Sequence, residues 1–209
     1  MLHPDAAKNL QLHKALYNKI IDVVKETNLP FIIIDEVNQH GKSFGEKFCN
    51  AIEYCFGSGY NNLITIGSDC AGLSAKDILK ASNQFQNNIN SIGVDSHGGF
   101  YLLALQKKYY QRNSFLNFEW GGNQLSKNIC VYFRKNVNAP LFLLATQQDI
   151  NTAANLKALI NLLIPDGFIK LLSRLFCGIS NYLLTITSLL HNIFISATAL
   201  RGPPAVSAL

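Results

Sequence analysis

Asp69, Asp95 and His97 are the side chains of this sequence whose types and spacing suit chemistry on a bound ligand. Asp69 closes the run Leu63-Ile64-Thr65-Ile66-Gly67-Ser68-Asp69, an apolar strand that stops abruptly at polar residues. A carboxylate at the carboxyl end of a buried strand stands where open α/β sheets bind ligands. The next strand, Ile89 to Val94, delivers Asp95, Ser96 and His97 to the same edge. His97 is of the residue type that serves as acid or base near neutral pH, and is the candidate for that role. Asp95 is the candidate to assist it as ligand or base. Gly98-Gly99 follow, where the backbone needs either positive φ or close approach to a ligand. Trp120, the only tryptophan, precedes Gly121-Gly122 and suits equally the wall of a ligand pocket or a core aromatic.

The elements that must position these residues follow from periodicity. Leu12, Leu16, Ile20, Val23 and Val24 lie on one face of an amphipathic helix over residues 5–27. Phe31-Ile32-Ile33-Ile34 is a short apolar run of the kind covered on both faces, and Asp35-Glu36 form its solvated end. Phe44, Phe48, Ala51, Ile52, Cys55 and Phe56 fall at helical spacing behind the polar loop 38–43. Gly41-Lys42-Ser43 in that loop lacks the G-x-x-x-x-G-K-[ST] spacing of a phosphate cradle and is a weak signal. Ser74 has the position of an N-cap for a helix beginning at Ala75. Phe100 to Leu103 and Leu141 to Leu144 complete the strands, and a last helix is expected from Ala153 to about Leu163. This alternation predicts a three-layer α/β sandwich with a mostly parallel sheet.

With 209 residues and 48% apolar content, the chain is expected to form one α/β domain over residues 1–165 with an extension over 166–209. The net charge of +5 comes from scattered basic residues with no block or aromatic-interleaved stripe, which argues against nucleic acid as a partner. Five cysteines without a C-x-x-C pair, behind an N-terminus with no apolar h-region, predict reduced thiols and a cytoplasmic location. Cys70, beside Asp69, reads as a small hydrophobe at a strand end.

In the tail, Leu172, Leu175, Phe176, Ile179, Leu183, Ile186, Leu190, Ile193 and Phe194 recur at spacings of three and four. Polar residues such as Asn181, Thr185 and His191 interrupt the opposite face. The pattern predicts a helical arm that packs on protein, with residues 168–200 available for a homo-oligomer or a membrane surface.

The motifs also resemble a family. Gly67-Ser68-Asp69-Cys70-Ala71-Gly72-Leu73 is similar to the G-[TS]-D-C-P-x-L segment of a bacterial family of glycosyltransferase-like proteins of unassigned function, the radical-SAM/selenodomain-associated transferase type. Residues 41–48 resemble its G-x-x-[FL]-G-E-R-[FM] helix start, and residues 93–105 its G-P-x-x-D-G-G-[FY]-Y-L-x-G-L. Residues 118–122 resemble its P-W-x-T turn, and Asp149-Ile150-Asn151-Thr152 its D-[IV]-D-T. The resemblance spans roughly residues 6–160. It implies a Rossmann-like, glycosyltransferase-A-type fold that holds a nucleotide-activated sugar at the strand ends. It further implies a divalent ion, Mg²⁺ or Mn²⁺, at those strand ends, for which Asp69 and Asp149 are the candidate ligands; Gly67, Ser68, Gly98, Gly99 and Trp120 are the candidate donor contacts, and Asp95 and His97 stay the candidate ligand or base on the reading of the residues above. Mg²⁺ takes one or two carboxylates plus substrate phosphates and neutralises a diphosphate leaving group.

The sequence departs from the family pattern in ways that bear on activity. His97 stands where the family has the aspartate of D-G-G, Asn151 where it has the second aspartate of D-[IV]-D-T, and Ala71 and Val94 replace prolines. Imidazole suits Zn²⁺ better than the hard ion Mg²⁺. The family's opening strand and its basic K-x-P-x-x-G-x-x-K-T-R-L loop have no counterpart, so an incomplete or closed-up sheet is expected. The two functions in contention are a transferase and a non-catalytic scaffold of the same fold that associates through its C-terminal helices.

Overall fold

The computed structural model of the chain describes residues 6–147 and the backbone of residues 193–198. Helix α1 (Ala6–Glu26) buries the five apolar positions expected of it, with Leu12 and Ile20 fully enclosed. Strand β1 (Phe31–Ile34) leads to α2 (Phe44–Gly57), whose N-cap Ser43 accepts from the Glu46 amide while the Glu46 carboxylate accepts from Lys42 N. Gly41-Lys42-Ser43 thus starts a helix. Strand β2 (Asn62–Gly67) follows, then α3 (Ala75–Gln84), which opens on a capping box between Ser74 and Asp77. Next come β3 (Asn90–Val94), β4 (Phe100–Gln106), the short α4 (Arg112–Leu116) and α5 (Leu125–Val131), continued by a π-helical turn over Tyr132–Asn136. Strands β5 (Leu141–Leu143) and β6 (Ile193–Thr198) complete the described elements.

The six described strands form one sheet in the order β1-β6-β2-β4-β3-β5. The sequence-based expectation of a mostly parallel sheet is corrected here. Only β3 and β5 pair in parallel, whereas β1–β6, β2–β6, β2–β4 and β3–β4 are antiparallel. The cause at β3–β4 is loop length. Five residues join them, and a parallel connection needs a crossover of a dozen or more. Four strands (β1, β2, β3 and β5) nevertheless share one direction, and β4 and β6 run against them.

A second correction concerns residues 193–198. Helical spacing assigned them to the arm, yet they form β6, antiparallel to β1 and β2 at once. Short apolar runs do not distinguish the two periods, and Ile193, Ile195 and Thr198 are β-branched residues at home in a strand. The remainder of the proposed arm, and the helix placed at 153–163, lie outside the described residues.

Side chains alternate between two cores along β4. Leu103 and Leu105 join Leu63, Phe48, Ile52, Phe115, Ile129 and Phe133, under α2, α4 and α5. Leu102 and Ala104 join Ile64, Ile66, Ile20, Val24 and Ile78, under α1 and α3. The aromatic part of the first core is dense. Phe48 lies 4.8 Å from Trp120 and 5.9 Å from Phe100, and Phe115 lies 5.1 Å from both Tyr110 and Phe118, between ring centroids. A polar strap ties α2 to the segment after β4: Arg112 pairs with Glu53 and donates to Asn50, and Tyr110 donates to Glu53. The buried thiols are quiet beside it. Burial raises the Cys49 pKa and pushes Cys55 up to about 12, which keeps both protonated.

Candidate functional site

Three chain segments leave the sheet at one edge. The β2–β4 register pairs Ile66 with Leu102, so the end of β2, Gly67-Ser68-Asp69, runs beside the residues just before β4, Gly98-Gly99. The β3–β4 register pairs Val94 with Phe100, which brings Asp95 to the same level. Strand β5 delivers the third segment. Gln147 bridges Asp95 in parallel, its amide donates to Val94 O, and its carbonyl accepts from Ser96 N. Its side chain reaches the other way. A Cβ on Gly72 would lie 2.2 Å from Gln147 Oε1, so the amide group rests against the turn that follows Asp69. Gln147 therefore touches both segments, the β3–β4 hairpin through its backbone and the turn after β2 through its side chain.

Within this edge the expected residues take different roles. The Asp69 carboxylate folds back over the strand end, because a Cβ on Gly67 would stand 2.9 Å from Asp69 Oδ1. Gly67 leaves that space open. Asp69 and Ser68 are half-buried, and Cys70 behind them is fully buried, a packed hydrophobe as its position indicated. Asp95 is engaged by its own hairpin. Its Oδ1 accepts from His97 N at 2.5 Å and Gly99 N at 3.0 Å, the geometry of an Asx turn. His97 is exposed on the hairpin tip, with Nδ1 3.3 Å from Ser96 Oγ.

The paired glycines are enclosed by the protein's own atoms. Gly98 has φ of +91°, and a Cβ there would lie 1.8 Å from the Asn123 carbonyl oxygen. Its own carbonyl accepts from Ser126 N and Ser126 Oγ at the start of α5. A Cβ on Gly99 would lie 2.3 Å from Asp95 Oδ2. Gly98 requires glycine for the hairpin itself, and Gly99 leaves room for the Asp95 carboxylate. Trp120 sits in the aromatic core: its Nε1 donates to Phe115 O at 2.8 Å and its ring lies 5.2 Å from Phe44. Asp149 lies outside the described residues.

Two residues join the site that sequence reasoning left out. Gln147 follows the end of β5, where the strand-end rule that picked Asp69 applies equally. His13, on α1, is half-buried within reach of the Asp69 charge. Nothing in its spacing distinguishes it, since it lies one residue from the buried stripe. Burial lowers the His13 pKa below its ordinary 6.5, and Asp69 pulls it upward in part. A depressed histidine pKa means that the unfolded chain takes up this proton first. The contribution of His13 is thus complete above pH 6.5 and is lost as pH falls through that value to the folded pKa. His13→Gln is expected to flatten the fall in stability below pH 6.5, and Asp69→Asn to deepen it; urea denaturation across this window measures both.

As a donor set for a divalent cation, the edge supplies the carboxylates of Asp69 and Asp95, the latter with Oδ1 already accepting from two backbone amides. Among the described residues no group of three or more His, Cys, Asp or Glu side chains is placed to hold a metal. Asp69 alone meets the lower limit of one carboxylate plus substrate oxygens. Elsewhere, an open cleft of about 360 Å³ is lined by Asn117, Phe118, Asn128 and Asn136 among others, none of them from the strand-end loops. Among the described residues no helix is long and apolar enough to cross a membrane.

Comparison with known proteins agrees with the motif-based resemblance. Residues 23–122 match a family described as an uncharacterized protein conserved in bacteria (DUF2064). This span holds four of the five motifs and excludes Asp149–Thr152. A crystal structure of a "putative nucleotide-diphospho-sugar transferase" from Desulfovibrio desulfuricans G20 superimposes with a TM-score of 0.70 at 20% identity, over 80% of this chain and 83% of that one. At that identity the likeness is one of fold. No curated protein matches the chain.

Proposed function

We propose that the chain is a nucleotide-diphospho-sugar transferase-like protein that binds a nucleotide-activated sugar, or a similar donor, along the edge formed by Gly67–Asp69, residues 95–99 and Gln147. The observation that carries this reading is the convergence of three strand-end segments at the half-buried Asp69, the place where open α/β sheets hold ligands. The fold shared with the Desulfovibrio protein supports it. Helices on both faces of the sheet, over two separate cores, support the three-layer arrangement of that fold.

In this reading Asp69 would hold Mg²⁺ or Mn²⁺, with Asp149 as the second carboxylate. The metal, when bound, supplies charge neutralisation for a departing diphosphate. The chain's own groups do the rest. Gln147 ties the β2 turn to the hairpin, His13 lies half-buried within electrostatic reach of Asp69, and His97 is exposed at the hairpin tip as the candidate acid or base.

A second reading has its own observation. The Asp95 carboxylate and both glycines are committed to the hairpin's internal structure, which favours a scaffold protein that holds no donor. Thermal and calorimetric titration with a panel of nucleotide sugars and Mg²⁺ or Mn²⁺ separates the two. A donor at tenfold above its Kd is expected to add about 1.4 kcal/mol of stability, and Asp69→Asn to remove that gain. A native chain that no donor stabilises would end the transferase reading and leave the scaffold.

A further inference from the structure

Strand β6 lies between β1 and β2, and neither neighbour is joined to it by a turn. Its register runs from Phe31↔Ser196 to Ile34↔Ile193 on one side and from Asn62↔Thr198 to Gly67↔Ile193 on the other. Strands β1 and β2 share a direction and are linked through α2, but they do not pair with each other. Between them is a gap one strand wide. The β2 rim is deeply enclosed, with Leu63 and Ile64 fully buried and Thr65 at 1% exposure. Backbone amides and carbonyls at such depth require partners.

Hairpin register is normally set by the turn, and that constraint is absent here, since residues 148–192 separate β6 from Gln147. The fit of β6 therefore comes from the two ladders. None of the three strands carries a charged residue: FIII, NLITIG and IFISAT. Nothing electrostatic selects or rejects a partner along the gap. Main-chain hydrogen bonds supply affinity in strand addition, and alternate side chains supply specificity.

We infer that the gap between β1 and β2 is a strand-accepting slot, filled by residues 193–198 as a separable piece that seats antiparallel to both rims without needing covalent continuity with the rest of the fold. The slot takes an extended, uncharged, β-branched segment. A central strand with ladders on both sides tolerates no proline, which deletes a donor and breaks the pairing.

The test uses the full chain carrying a specific protease site, flanked by glycine and serine, within residues 148–192. The chain is folded first and cut afterwards. The C-terminal piece is expected to co-elute with the body in buffer and to be released by denaturant or by a competing strand. A fluorescent peptide spanning residues 191–200 is expected to exchange into the slot and to displace that piece. The same peptide with Ile195→Pro, which lacks a ladder donor, is expected to lose this competition by a hundredfold or more, equivalent to about 2.8 kcal/mol. Because the proline is placed in the peptide, folding of the protein is not at risk. Separation of the cut pieces with no change in the body's melting temperature would overturn the inference. So would equal competition by the proline peptide.

Discussion

Gly98→Ala is expected to destabilise the protein by about 3–5 kcal/mol, a large share of the roughly 5–15 kcal/mol that holds a domain folded. Two effects add. The backbone at Gly98 has φ of +91°, and an L-residue held in such a region costs about 1–3 kcal/mol. The new Cβ would also sit 1.8 Å from the Asn123 carbonyl oxygen. That neighbour is backbone, so it cannot rotate away. Relief would require the hairpin to part from α5 and give up the bonds from Ser126 N and Oγ, and overpacking of this kind costs a further 1–3 kcal/mol or so. Gly121 provides the control. Its φ is +83° but nothing lies within 4 Å of its added Cβ, so Gly121→Ala should show the backbone cost alone. Urea midpoints of the two variants measure the difference. Equal losses would mean that the hairpin is not wedged against α5, and Gly98 would again be open to a ligand.

Phe115→Ala should cost about 3–5 kcal/mol, the usual range for removing a buried aromatic ring. Phe115 is fully buried, stacked at 6.4 Å on Phe48 and set edge-on at 5.6 Å to Tyr132. Its carbonyl also anchors Trp120 Nε1. The cavity would open in the middle of the aromatic core, so the loss should appear both in the denaturation midpoint and in the fluorescence of the single tryptophan, which is expected to shift to the red. Phe115→Leu fills part of the void and should cost less than half as much. A midpoint within about 1 kcal/mol of the native chain would show that the core collapses around the gap.

The parts of this fold that were legible in the sequence are those governed by local chemistry. The stripe from Leu12 to Val24, the Ser74 cap and the apolar run of β2 each carry their own signature, and each lies where that signature puts it. Strand directions depend on contacts remote in sequence. Residues 95–99 read as a strand end facing a cleft, and nothing local showed that β4 folds straight back on β3. The tail misled for the same reason, since a 3–4 spacing and a strand coincide over six residues and the slot decides between them. At the site, strand-end reasoning found the edge and Asp69. It could not show that the Asp95 carboxylate turns onto the amides of His97 and Gly99, because an Asx turn and an exposed ligand begin with the same residue. His13 and Gln147 enter by tertiary approach alone.

The place of β6 has a consequence for synthesis on the ribosome. Strand β2 is complete once Gly67 has emerged, yet its inner rim waits for residues 193–198. At translation rates of 5–20 residues per second, roughly 130 further residues take about 7–25 s. For that interval the nascent chain presents two naked strand rims, of four and six residues, to every other chain in its neighbourhood. A holding chaperone that shields them until the closing strand arrives should raise the yield of correctly folded protein far more than one that acts after release.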